Sequence, residues 1–182
     1  MTLPTQHSTA KSQHAASSTV ERVCLFLAAI PVVGAIAIHP VQANPIVPAP
    51  DGTNTLVTPN GNRFDIHGGQ TSSDRANLYH SFTQFNLDSG QTANFQSLPE
   101  IRNILGRITG GNPSQINGLI QVTGSNANLF LINPAGIIFG NNASLNVPAS
   151  FIATTANGVG FGNNWFNATG VNNYSSLNGA PN

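Results

Sequence analysis

The sequence predicts an all-β fold wound as a solenoid, and three observations lead there. From Gly110 onward the apolar residues fall in runs of three to six, separated by Gly and Asn. Runs that short build either a β-sandwich or a β-solenoid. Phe-Gly-Asn-Asn then occurs at 139–142 and again at 161–164, an offset of 22 residues, which is close to one solenoid coil. Stacked coils lie about 4.8 Å apart, so repeated asparagines can bond one another and repeated phenylalanines can stack inside. That repeat favours the solenoid. Finally, Asn133-Pro134-Ala135-Gly136 sits between the β-prone runs 129–132 and 137–139, a well-formed turn with no catalytic side chain in it.

The first element is a leader. Residues 23–38 form an apolar run preceded by Lys11 and Arg22 and interrupted by Pro31 and Gly34. A bilayer span needs about 20 apolar residues, and this run is shorter. The basic start, the apolar centre and the small residues Val41 and Ala43 describe a secretory signal peptide over 1–43, cut between Ala43 and Asn44; a retained anchor is the alternative. Cleavage leaves 139 residues, 44–182, and removes the only cysteine, Cys24. With no disulfide to staple it, the remainder is held by backbone pairing and a modest core.

Past residue 43 the charges are Arg63, Arg75, Arg102 and Arg107 against Asp51, Asp65, Asp74, Asp88 and Glu100, a net charge of −1, with no lysine and no charge beyond Arg107. Nucleic-acid binding needs clustered cations to displace counterions, and an anionic membrane surface needs the same. The sequence therefore argues against both partners; no stable membrane insertion of the mature chain is expected.

The remaining elements follow in order. Residues 44–50 are a Pro-rich extended lead-in. Over 55–67, Phe64 and Ile66 alternate with Arg63, Asp65 and His67 after Pro59-Asn60-Gly61, the pattern of a hairpin with a half-buried strand. Residues 68–76 are rich in loop formers, and the aromatic content of 77–87 favours extended structure. Residues 101–109 are in conflict: Ile101, Ile104, Leu105 and Ile108 match a helical face, whereas Gly106 and the β-branched Ile104, Ile108 and Thr109 oppose it. Strands follow near 116–122, at 129–132, at 137–139, over 143–147 with Ala143, Leu145 and Val147 on one face, and at 150–156.

In the turn itself, Asn at the first position, Pro at the second and Gly at the fourth specify type I geometry. Gly136 can take positive φ, and the Asn133 side chain can accept the N–H two residues on.

The stretch from "RITGGNPSQINGLIQVTG" through "NLFLINPAGIIFG" to "SFIATTA" resembles the N-terminal secretion domain of filamentous haemagglutinin-like exoproteins, the cargo half of two-partner secretion, in its cyanobacterial form. The family's Asn-Pro-Asn-Gly-Ile is matched at Asn133, Pro134, Gly136 and Ile137, with Ala135 in place of the middle Asn. Its Asn-Pro-Asn-Leu has no counterpart. Asn112, Pro113 and Ser114, with Gly118, form a second turn within the matching stretch. The resemblance implies a right-handed parallel β-helix with an N-terminal cap over 44–156, which makes 101–109 a strand. It also implies recognition of the Asn133–Ile137 corner by periplasmic POTRA domains of a dedicated outer-membrane β-barrel transporter, export across both membranes to the cell surface or beyond, and no cofactor. It names no ligand for the exported protein. Residues 157–182 depart from the family pattern and are expected to be a divergent or incomplete continuation of the solenoid, leaving an open last coil.

A second class of reading is a stand-alone β-helix that binds or cleaves polysaccharide. His67 and His80 with Asp65, Asp74 and Asp88 could supply acid–base chemistry, and Trp165, Phe166 and Tyr174 could offer faces to sugar rings. No nucleophile elbow, paired-His metal spacing or phosphate loop supports catalysis. A lyase needs clustered acidic and basic groups on one coil face, and 108–182 carries no charge at all.

Overall fold

The structure is a computed structural model and describes residues 45–182. The leader expectation for 1–43, with its cut between Ala43 and Asn44, lies outside the described residues. Fifteen short strands carry the described fold, and its only helical element is a 3₁₀ turn at Tyr174–Ser176.

Parallel stacking defines the architecture. β5 (Asn77–Phe85), β7 (Asn103–Ile108), β10 (Asn128–Ile132) and β13 (Phe151–Thr154) lie side by side in one sheet. A second sheet stacks β3 (Arg63–Gly68), β6 (Thr92–Gln96), β9 (Leu119–Thr123) and β12 (Ser144–Asn146). β8 (Ser114–Ile116) and β11 (Ile137–Phe139) form a short third ladder. In-register partners such as Asn77↔Asn103 and Asn103↔Asn128 are 26 and 25 residues apart. The chain is a β-solenoid, as its short runs predict. Its start is capped by antiparallel pairing: β1 (Ile46–Pro48) and β4 (Gln70–Thr71) on β5, and β2 (Thr55–Asn60) on β3. The β2–β3 pair is the expected hairpin, with Gly61 and Asn62 as its turn and Pro59 inside the strand opposite Phe64.

The repeat that suggested coils is not a coil repeat. Phe139 lies in β11 opposite Ile116. Phe161 closes β14 (Gly158–Phe161), which pairs antiparallel with β15 (Asn164–Asn167). The first Phe-Gly-Asn-Asn turns a solenoid corner, where the Asn142 N–H donates to Asn117 Oδ1 at 3.0 Å. The second is a tight hairpin turn between Phe161 and Asn164. Gly-Asn suits both turns, so the same letters serve two geometries. Beyond Ala156 the described chain adds no further coil: β14 and β15 pair only with each other.

Two apolar clusters result. Inside the solenoid, Leu78, Ile104 and Leu129 stack in register, and Phe82, Phe85 and Phe95 meet with ring centroids 5.2–6.3 Å apart. Outside it, Tyr79, Leu105 and Ile132 pack with Phe161, Phe166, Ala168 and Leu177 from the final segment. Every residue of β7 is therefore buried. A strand covered on both faces loses its period-2 alternation, which is why 101–109 mimics a helical pattern while the structure makes it a strand.

Candidate functional site

The corner at 133–137 is built on one fully buried side chain. Asn133 directly follows β10, and its backbone N–H donates to Thr154 O at 3.0 Å. The Gly136 N–H closes the turn on Asn133 O at 3.0 Å. Asn133 Oδ1 accepts from the Ala135 N–H at 3.0 Å, the Asx geometry. Its amide nitrogen donates to Asn112 O and to Ser114 Oγ, each at 3.0 Å. All three contacts of this amide are internal, so Asn133 binds its coil to the coil before.

The neighbouring corner completes the arrangement. The Ser114 N–H donates to Gly136 O at 3.0 Å, and Ser114 pairs with Ile137 in the β8–β11 ladder. Gly136 takes φ 124°, a conformation that disfavours other residues. Gly118 answers a different demand, since a Cβ there would collide with the carbonyl oxygens of Asp88 and Gln91 in the previous coil. Asn112, Pro113, Pro134 and Ala135 are exposed and Gly136 and Ile137 half-buried. Together they form an uncharged ridge across two coils, with Pro113 against Gly136.

A family model for the TPS secretion domain matches residues 45–179, almost the whole described structure. The chain belongs to the TPS secretion domain family. It is thus a substrate of two-partner secretion, exported by the transporter of that pair. No curated protein matches the sequence. Within the TPS domain, three of the residues considered for acid–base chemistry, His67, Asp65 and Asp74, are bonded to other groups. His67 Nε2 shares a 3.0 Å hydrogen bond with Thr58 Oγ1, and Asp65 accepts from Arg63 and Asn94. Asp74 accepts from Ser72, Ala76 and Gly179, and these bonds outweigh burial and hold its carboxyl below the usual range.

His80 lies inside the core of the TPS domain, with Phe82 and Phe95 centroids at 6.2 and 5.8 Å, and burial together with His67 pushes its pKa down to about 3. The aromatic trio does not form one platform: Trp165 is exposed, Phe166 is fully buried, and Tyr174 shares a 2.8 Å hydrogen bond with Thr53. Among the described residues no group of His, Cys, Asp or Glu is arranged to hold a metal ion, and no helix is long and apolar enough to cross a membrane.

The TPS domain carries the asparagine ladder that stacked coils allow, but at residues other than those of Phe-Gly-Asn-Asn. Asn103 Nδ2 donates to Asn77 Oδ1 at 2.8 Å, Asn128 Nδ2 to Asn103 Oδ1 at 2.9 Å, and the Ser150 N–H to Asn128 Oδ1 at 3.1 Å. The signal was present: Asn-Leu-Tyr, Asn-Ile-Leu and Asn-Leu-Phe begin at 77, 103 and 128, at the true coil spacing. The triplets share Asn and a polarity pattern but no common tripeptide, whereas Phe-Gly-Asn-Asn repeats literally.

Proposed function

We propose that this TPS domain is the export label of an adhesin-like exoprotein, that POTRA domains of its transporter read the ridge formed by Asn112, Pro113, Pro134 and Ala135, and that the solenoid folds outside the outer membrane, at the cell surface or after release. The observation that carries the reading is the corner itself. Four exposed, uncharged residues from two coils are held in one surface by a buried amide whose every bond is internal. Ala135 then occupies the tip, so a family pattern with Asn there is met by shape and backbone instead of by an amide. Threading from the first residue onward puts 112–137 ahead of β12 and β13, and each completed coil resists backsliding through burial of its inner face.

Two variants separate reading from folding. Ala135→Glu places a charge on the exposed tip without touching the internal bonds. It is expected to lower secreted yield and binding to the purified POTRA domains while the folded chain keeps its stability. Asn133→Leu removes three hydrogen bonds at a buried site and is expected to stop secretion with synthesis intact. Unchanged extracellular yield and unchanged POTRA binding for Ala135→Glu would remove the ridge from the recognition surface.

A further inference from the structure

The outer face of β5 and β7 carries Asn77, Tyr79, Ser81, Leu105 and Arg107, a face that a bare solenoid would present to water. Residues 158–182 cover it instead. Tyr79 Oη donates to Leu177 O at 2.7 Å, Asn77 Nδ2 donates to Leu177 O and Gly179 O at 2.9 Å each, and the Gly179 N–H donates to Asp74 at 2.7 Å. Phe161, Phe166 and Leu177 fill the space above Tyr79, Leu105 and Ile132.

Arg107 is the centre of this cover. Its side chain is only 3% exposed, and its donors reach three separate parts of the chain. Nε donates to Ser81 Oγ at 3.0 Å, Nη1 to Asn167 O at 3.1 Å and Gly170 O at 2.7 Å, and Nη2 to Asp51 Oδ2 at 2.7 Å. Asp51 directly follows the lead-in, which docks on β5 through the Ala49 N–H to Ser81 O at 2.9 Å, and the same stretch meets the cover again where Thr53 Oγ1 and Tyr174 Oη lie 2.8 Å apart.

We propose that residues 158–182 are a strap that opens and closes as a unit over an otherwise intact solenoid, latched by Arg107, and that the latch holds only when the lead-in and the strap are both docked. A buried guanidinium missing either set of acceptors is left with unmet donors, which costs more than the bond it loses, so each segment stabilises the other through the same cation. The strap can open alone because its apolar cluster is separate from the solenoid interior and its hairpin joins no coil sheet. Its role in timing rests on the export reading: when the chain emerges from its first residue onward, the coils form while Tyr79, Leu105 and Ile132 stay open, and this face is masked only after residue 170 has arrived.

Hydrogen exchange on the purified full chain tests the latch with no transporter present, so its failure leaves the export reading standing, and the reverse also holds. In Arg107→Met the Ala168 and Gly179 amides of the strap, and the Ala49 amide of the lead-in, are expected to exchange roughly tenfold faster or more, as the loss of a charge-assisted bond implies. The Asn128 and Leu129 amides inside the coils stay unchanged. Asp51→Ala, a substitution next to the lead-in and outside the strap, is expected to speed the same strap amides. Strap amides that do not respond to Asp51→Ala, or coil amides that accelerate in step with them, would overturn the proposal. Should Arg107→Met lose protection throughout, Asp51→Ala decides by the same criterion.

Discussion

At the scale of the residue, His80 is the most consequential side chain that plays no part in the ridge. It projects into the core beside Phe82 and Phe95, in register with Gly106, and neither ring nitrogen has a hydrogen-bond partner among the described residues. Burial first, and then the nearby His67, depress its folded pKa to about 3, whereas an unfolded chain protonates it near 6.5. Above that unfolded value the group is neutral in both states and contributes nothing. Below it the unfolded chain binds a proton that the folded chain refuses, so stability falls as pH drops from about 6.5 toward 3, by up to about 1.4 kcal/mol per pH unit. The carboxylates act lower: partial desolvation raises Asp51, yet bonds from Ser81, Thr53 and Arg107 prevail and hold it at about 2, so its contribution is lost only as pH falls from about 3.8 to 2. The window from pH 7 to 5 therefore isolates the histidine. His80→Leu is expected to flatten the pH dependence of the denaturation midpoint there, and an equally steep slope in that variant would assign the effect elsewhere. The sequence showed His80 amid aromatic residues, which points to packing. It could not show the missing partners, because those depend on which residues the neighbouring coils bring to the same level.

At the scale of the element, the asparagine ladder and the doubly covered strand β7 explain each other. Asn103 and Arg107 lie on the outer face of β7 with Leu105 between them, and Ile104 and Ile108 face inward. A polar side chain on a fully buried strand requires a partner at the same height, and the ladder supplies one on each side of Asn103. Asn103→Ala therefore deletes two hydrogen bonds and takes their partner from Asn77 Oδ1 and Asn128 Nδ2. We expect a loss of roughly 2–3 kcal/mol in chemical denaturation. Asn128→Ala, at a partly buried rung, is expected to cost less; equal effects would mean that the rungs do not share their energy along the stack. The hairpin at 55–67 was legible because one face is wet and the alternation survives in the letters. The helix-like pattern of 101–109 misleads for the opposite reason: the strap covers the face that would otherwise carry the polar half of the alternation, and nothing in those nine residues announces a cover that begins at 158.

At the scale of the whole molecule, the two ends of the solenoid are built differently. The first end is closed by antiparallel strands, and two of them carry Pro48 and Pro59, residues without an N–H to offer an approaching strand. The last ladder positions are β11, β12 and β13, with no strand pairing beyond them among the described residues. These three strands contain neither proline nor charge, and they leave Ile138, Phe139 and Leu145 exposed at 57, 45 and 51%. Leu145 pairs with Ile120, which is fully buried one coil earlier, so the end coil repeats the inner pattern of its neighbour without a next layer to cover it. This asymmetry was partly legible, since the alternation of Ala143, Leu145 and Val147 promises a covered face. Phe-Gly-Asn-Asn does not mark the coil spacing, but the short runs and the corner turn point to the same fold independently. Uncovered edges of this kind template pairing with another chain. The chain is therefore expected to self-associate as its concentration rises in sedimentation, and Ile138→Lys with Leu145→Lys is expected to restore a monomer by placing charge on two of the three edges. A wild-type chain that stays monomeric when concentrated and melts in one sharp, reversible transition would show that the open end is passive, and would leave the exposed Ile138, Phe139 and Leu145 without an energetic consequence.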